Sequence, residues 1–200
     1  HGANHAPPFS FSEFIQTGPY DTDESGLSCE AGYWVFSTGD ARIVDAVANH
    51  ARAGELTLGH TLVPVESVEM EQITSETEAR YRTVSPVSVT RHRGDYRIEL
   101  HPDDPMWGVE IRQSVRDRMK HKGYDVEDFD LDIIRVHSWK EDAMQVSSER
   151  KRSCTYGEFT INCQETTSRF IQRNGLAEGS GMGMSCVMPV DHIPESNRFA

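Results

Sequence analysis

Residues 9–14, FSFSEF, alternate aromatic and small polar side chains, the period of a strand with one buried face. GYWVFS, 32–37, reads as a second strand, and its continuous apolar character predicts a central position. The period then changes. Ile43, Val44, Val47 and Ala48 recur on one helical face, Ser37, Thr38 or Asp40 offers a cap, and Gly54 closes the helix. ELTLGHTLVPVESVEMEQI, 55–73, alternates as one long strand or as two bent at Pro64.

TSETEAR, 74–80, has no hydrophobic period and reads as a link into a second unit. Beyond it, YRTVSPVSVTR and YRIELHP are strands around an RHRGD turn. Trp107, Ile111, Val115 and Met119 then mark a helix, and DVEDFDLDIIRVHSW and TYGEFTINC are further strands. ETTSRFIQRNG is a helix capped by Thr166 or Thr167, and SCVMPV is a last strand. No short-period repeat is present. Strands alternating with two helices in the second unit, 74–200, predict a two-layer α+β sandwich of the ferredoxin-like kind. If the first unit, 1–73, is the same sandwich, the fold is α+β with tandem ferredoxin-like βαββαβ domains. The first would be incomplete, short of an opening strand and helix of roughly 40 residues. A start at His1 fits a processed form or a fragment.

Charged residues interrupt every apolar run before the roughly 18 positions of a membrane span, and HGANHAPP carries no leader pattern. The expectation is a soluble, cytoplasmic protein with no membrane partner. Cys29, Cys154, Cys163 and Cys186 lie far apart, which favours reduced thiols over a disulfide framework or a zinc site. Net charge is −12, from 32 acids against 20 bases, of which 16 are arginine and four lysine. An acidic, lysine-poor surface suits high salt and suggests a halophilic source. It does not exclude nucleic acid, because local basic patches make such contacts. The histidines lack paired ligand spacing, so neither metal nor cofactor is expected, and SxxK, GxSxG and HExxH are absent.

GLAEGSGMG, 175–183, places Gly175, Gly179, Gly181 and Gly183 between the last helix and the last strand. Nucleotide loops leave a strand and enter a helix; here the order is reversed, so no helix N-terminus faces the loop. Gly175 alone fits an ordinary helix cap. The other three exceed what a cap needs and fit a backbone surface against a bulky anion such as an RNA strand. Basic groups cluster at Arg91, His92 and Arg93, along Arg112, Arg116, Arg118, Lys120 and Lys122, and at Arg150, Lys151 and Arg152. The helical set reads equally as a solvated surface, whereas the ERKRS loop reads as an RNA contact.

The tail resembles the C-terminal glycine-rich loop of the repeat-associated (RAMP) superfamily of CRISPR proteins, with Gly181-Met182-Gly183 at its GFG position. PFSFSEF, GYWVFST with its helix, VSPVSV and YGEFTI resemble, in order, segments of one member, the CRISPR-associated endoribonuclease of the sixth Cas family. That resemblance implies two ferredoxin-like domains and metal-independent cutting of CRISPR repeat RNA by 2′-OH attack, leaving a 2′,3′-cyclic phosphate and a 5′-OH. It implies a catalytic histidine in the loop before the FTFS-like strand, here His1 or His5, with His1 the better match. RNA contacts would come from Gly175, Gly179, Gly181, Gly183, Arg91, Arg93, Arg150, Lys151 and Arg152. Other subunits of a CRISPR interference complex are candidate partners, and homodimerisation stays open. The alternative is a non-catalytic RAMP-type RNA-binding subunit of such a complex.

Overall fold

The computed structural model describes residues 9–12, 14–23, 26–58, 61–70, 73–94, 96–147, 150–177 and 184–193. Six elements of the C-terminal part run in the order β7 (Glu78–Thr83), α2 (Trp107–His121), β10 (Leu131–Ser147), β11 (Arg150–Cys163), α3 (Glu165–Asn174) and β12 (Val187–Pro189). Their sheet has the spatial order β10-β11-β7-β12, antiparallel at every pairing. This is the ferredoxin-like arrangement, with the first strand of the unit inside and its last strand at the edge. A hairpin, β8 (Val89–Arg93) with β9 (Tyr96–Leu100), is inserted before α2 and turns at Gly94, whose φ is +62°.

The helical spacing read for α2 is the core. Trp107, Ile111, Val115 and Met119 are all buried against Phe159 and Ile161 of β11 and Phe170 and Ile171 of α3. The Trp107 and Phe159 rings lie 5.0 Å apart. Gly157 makes room for that ring, since a Cβ there would stand 2.3 Å from Phe159 Cζ and 3.0 Å from the Ser138 carbonyl. The G-x-F pattern of YGEFTI is therefore a packing requirement.

The N-terminal part follows the later half of the same order. β1 (Phe9–Phe11) pairs antiparallel with β4 (Phe36–Thr38), α1 (Ala41–Arg52) follows, and β5 (Glu55–Leu58) pairs with β6 (Thr61–Pro64). Asp40 caps α1 by accepting the Arg42 N–H at 3.0 Å.

Several elements depart from the pattern reading. β2 (Ile15–Asp23) and β3 (Gly26–Tyr33) pair as a hairpin that Gly18, Pro19 and the acidic composition of residues 21–24 concealed. GYWVFS is not one central strand: it closes β3 at Tyr33 and opens β4 at Phe36, with Val35 fixed by two hydrogen bonds to Ser12. The 55–73 strand folds back between Leu58 and Thr61 rather than bending at Pro64, which ends β6, where a missing N–H costs nothing. β7 begins at Glu78, inside the segment read as a link, and ends before Ser85-Pro86, so YRTVSPVSVTR is two strands. Gln164, not Thr166 or Thr167, occupies the cap position of α3, and Thr167 is buried.

Cys154, Cys163 and Cys186 are buried. Burial pushes the Cys163 and Cys186 thiols and the Tyr81 phenol up to about 12, with a Ser168 hydrogen bond partly offsetting the shift at Tyr81. Each group holds its proton to higher pH in the folded chain than in the unfolded one, where thiols titrate near 9 and phenols near 10. Their contribution is thus complete below about pH 9 and lost as pH climbs toward 12. Urea unfolding at stepped pH is expected to show a midpoint that falls across this window, with a shallower fall in Cys163→Ala.

Candidate nucleic-acid interface

Both ends of the glycine run are fixed by backbone bonds. α3 stops at Asn174, and Gly175 adopts φ +81° with its N–H on the Ile171 carbonyl at 2.8 Å. A Cβ at this position would meet the Ser185 carbonyl oxygen at 2.8 Å, so glycine is required for space as well as for conformation. Leu176 N–H donates to Ser185 O, and Ser185 N–H donates to Pro86 O, each at 2.8 Å. Cys186 N–H reaches Ser85 Oγ at 2.8 Å, and its carbonyl accepts from Val84 at 2.9 Å. VSPVSV is therefore a latch for the chain on either side of the glycines. Leu176, Ala177, Met184, Ser185 and Cys186 are all buried. Gly179, Gly181 and Gly183 lie outside the described residues, as do His1 and His5.

Arg118 of α2 and Lys122, just past its end, brace the end of α3 where the run begins. Arg118 donates to the carbonyls of Asn174 at 2.9 Å and Gly175 at 2.8 Å, its guanidinium 5.6 Å from the centre of the Phe170 ring. Lys122 Nζ donates to Asn174 Oδ1 at 2.8 Å. Burial, and then the neighbouring Arg118 charge, lower the Lys122 pKa. These positive groups meet the negative end of the α3 dipole. Arg112 behaves differently, pairing at the surface with Asp130 and Asp132 at 3.4 and 3.2 Å. The basic face of α2 thus divides into a structural pair and a solvated remainder.

Arg150, Lys151 and Arg152 are not a loop. They open β11, opposite Ser147, Gln145 and Met144 of β10, on an arm that runs beyond the last β7 pairing at Glu158. Side chains alternate faces along β11, so Arg152 and Tyr156 share the side of Glu158 and Thr160, away from the helices, while Lys151 takes the other. On that open side Arg82 donates to Glu158 Oε2 through Nη2 at 2.8 Å and Nε at 3.1 Å, and Arg80 also pairs with Glu158. Lys140 Nζ lies 5.3 Å over the Tyr156 ring. Bulges interrupt β10 at Ile134 and His137, and His137 Nε2 lies 2.7 Å from Thr160 Oγ1. A stripe of Arg80, Arg82, Lys140 and Arg152 results, with one aromatic ring in it.

The remaining candidates stand elsewhere. Arg91 and Arg93 sit on the β8–β9 hairpin, Arg91 held by Glu110 at 3.3 Å. Pattern reading missed Arg80 and Arg82, which fell in or beside the supposed link, and Lys140 and Tyr156, which meet only through the pairing of β10 with β11. The signal available for the arginines was their alternation with Ala79, Tyr81 and Thr83. Among the described residues no group of three or more His, Cys, Asp or Glu could hold a metal ion, and no helix is long and apolar enough to cross a membrane. Ser10 Oγ lies 3.8 Å from Cys186 Sγ. The described chain thus resumes after the N-terminal histidines next to the strand that resumes after the glycines.

Residues 68–189 match the family model described as CRISPR associated protein Cas6, C-terminal. None of the curated proteins matches the chain by sequence. A solved structure described as CRISPR associated protein Cas6 is 18% identical, with 95% of this chain and 86% of that chain covered and a TM-score of 0.76. A Cas6-related gene product from Pyrococcus furiosus gives 17% identity, 96% and 82% coverage and a TM-score of 0.73. A protein described as an RAMP protein binding different RNA substrates gives 19%, 94%, 81% and 0.73. At such identities the likeness is one of fold, and that fold is the tandem ferredoxin-like one.

The Gly175 geometry has a measurable signature. Gly175→Ala should lower unfolding free energy by about 2 kcal/mol or more, because strain and a close approach add. Gly54→Ala, at φ +101° with open space around it, should lose about 1 kcal/mol. Equal urea midpoints for the two variants would contradict the close-approach argument.

Proposed function

This chain belongs to the Cas6 family of CRISPR-associated proteins, and on that footing we propose that it is a metal-independent endoribonuclease that cuts CRISPR repeat RNA into guide RNA. The Ser10–Cys186 contact carries the reading, because it anchors the segment after the candidate histidines beside the exit of the glycine run. In this mechanism the 2′-OH upstream of the scissile phosphate attacks phosphorus and the 5′ oxygen leaves, giving a 2′,3′-cyclic phosphate and a 5′-OH. His1 or His5 serves as base or acid, a role suited to an imidazole with an ordinary pKa near 6.5. The glycine backbone receives the RNA strand, and Lys140, Arg152 and the solvent-facing Arg80 supply phosphate contacts.

The experiment is a cleavage assay on repeat RNA in EDTA. The expected product ends in a cyclic phosphate, and a 2′-deoxy substitution upstream of the cut should block cleavage while leaving binding intact. Replacing the catalytic histidine by alanine should slow cleavage by about 100-fold or more. If His1→Ala and His5→Ala each cut as fast as the parent, the histidine assignment falls. Tight binding without cutting would instead return the non-catalytic RAMP-type subunit.

The basic stripe is tested separately. Lys140→Gln with Arg152→Gln should weaken repeat binding and lower the slope of log affinity against log salt by about 1 to 2. An unchanged slope would remove these residues from the interface.

A further inference from the structure

The glycine run leaves a helix at the end least suited to an anion. α3 spans Glu165–Asn174, and Gly175 follows where its aligned peptide dipoles and last carbonyl oxygens amount to about half a negative charge. Loops that cradle phosphates use the opposite end, whose N–H groups and positive charge face the ligand. An RNA strand laid along the backbone after Gly175 therefore meets repulsion from α3, unless other groups reverse the sign of that end.

Arg118 stands where such a reversal needs it. Its Nη1 donates to the Asn174 carbonyl at 2.9 Å and its Nη2 to the Gly175 carbonyl at 2.8 Å, so one planar fork spans the last carbonyl of the helix and the first of the run. Nε is 3.4 Å from the Ser114 carbonyl, and the guanidinium lies 5.6 Å from the centre of the Phe170 ring. These partners are uncharged, so each contact holds the charge at the end of α3 without neutralising it. Arg112 and Arg169 differ, because the one pairs with Asp130 and Asp132 and the other with Glu165.

A whole charge set against about half a charge leaves the helix end positive. Lys122 on the Asn174 side chain and Arg173 in the last turn of α3 act in the same sense. The contacts of Arg118 are partly buried, which weakens screening between the guanidinium and the carbonyls.

We propose that Arg118 is a positioning residue for RNA: fastened to the carbonyls at the end of α3, it makes the helix end beside the glycine run attractive to a polyanion. The inference rests on the proposed path of RNA over that run and supplies the counter-charge the path requires. Its reach is that of a screened charge, about 10 Å at 0.1 M salt and about 3 Å at 1 M. Charge and geometry are separable here. Lysine keeps the charge but cannot fork across two carbonyls, whereas glutamine keeps a donor and loses the charge.

The test is anisotropy titration of labelled repeat RNA with the whole chain over a series of KCl concentrations, at a temperature where circular dichroism finds each variant as folded as the parent. Arg118→Gln should bind about 5-fold more weakly than the parent at about 0.1 M KCl and within about 2-fold of it at about 0.5 M. Arg118→Lys should stay within about 2-fold of the parent throughout. A gap that salt does not narrow, or equal losses in the two variants, makes the bonds merely structural and overturns the proposal, leaving the proposed function in place. A single methylphosphonate linkage that removes the whole difference between Arg118→Gln and the parent overturns it too, because Arg118 would then be a direct phosphate ligand. Where Arg118→Gln does not fold, Lys122→Gln, which keeps a donor for Asn174 Oδ1, is read by the same criteria. Absence of RNA binding by the parent chain overturns the proposed function and this inference with it.

Discussion

The peptide groups of Ser185 hold three distant segments in one place. Its N–H is given to Pro86 and its carbonyl receives Leu176, so the chain before the glycines, the chain after them and the Ser85-Pro86 corner share one set of bonds. Ser185 accepts a φ of +65° to do this, uncommon for a residue with a side chain, and Gly175 must lack a Cβ to let the carbonyl approach. The place of the glycine run in the interface depends on this junction. Arg118 and Lys122 reinforce it from α2, and Ser10 reaches it from β1, so helix, sheet and N-terminal part converge where a glycine-rich backbone begins and ends.

Burial of Glu158 gives the sheet face its character. A carboxylate 5% exposed in the middle of a strand is costly unless paired, and Arg80 and Arg82 on the adjacent strand pair it. The two arginines are not equivalent, since the Arg82 side chain is 15% exposed and that of Arg80 is 54% exposed. Glu158 thus fixes one guanidinium inside the sheet surface and leaves the other turned to solvent. In a chain with 32 acidic residues, such pairing decides where positive charge is left at the surface.

The helix α2 was legible because its apolar spacing is uninterrupted, with Trp107, Ile111, Val115 and Met119 naming its buried face; in α1 the buried residues are Ala48 and Ala51, and Val47 of the expected face is exposed. The β2–β3 hairpin was not, because residues 15–33 carry no sustained apolar alternation. The far half of β10, KEDAMQVS, has no regular apolar alternation, so its strand character comes from pairing with β11 and not from its own pattern. Gly175 could be named from sequence as a cap, yet its close approach to Ser185 could not. Arg118 on Asn174 and Ser85 on Cys186 are likewise meetings across long stretches of chain, invisible to any local window. The glycine run drew attention by its composition; its supports did not.

The bulges of β10 bear on how this strand tolerates change in length. Ile133, Val136 and Trp139 face Ile161, Phe159 and Gly157 at a spacing of three, so β10 spends more residues than β11 over the same distance. A ladder with a surplus residue can lose it and keep every partner beyond that point. Loss of Ile134 or His137 would leave the arm in register, at the cost for His137 of its bond to Thr160, whereas a residue lost from β11 would shift every pairing beyond it.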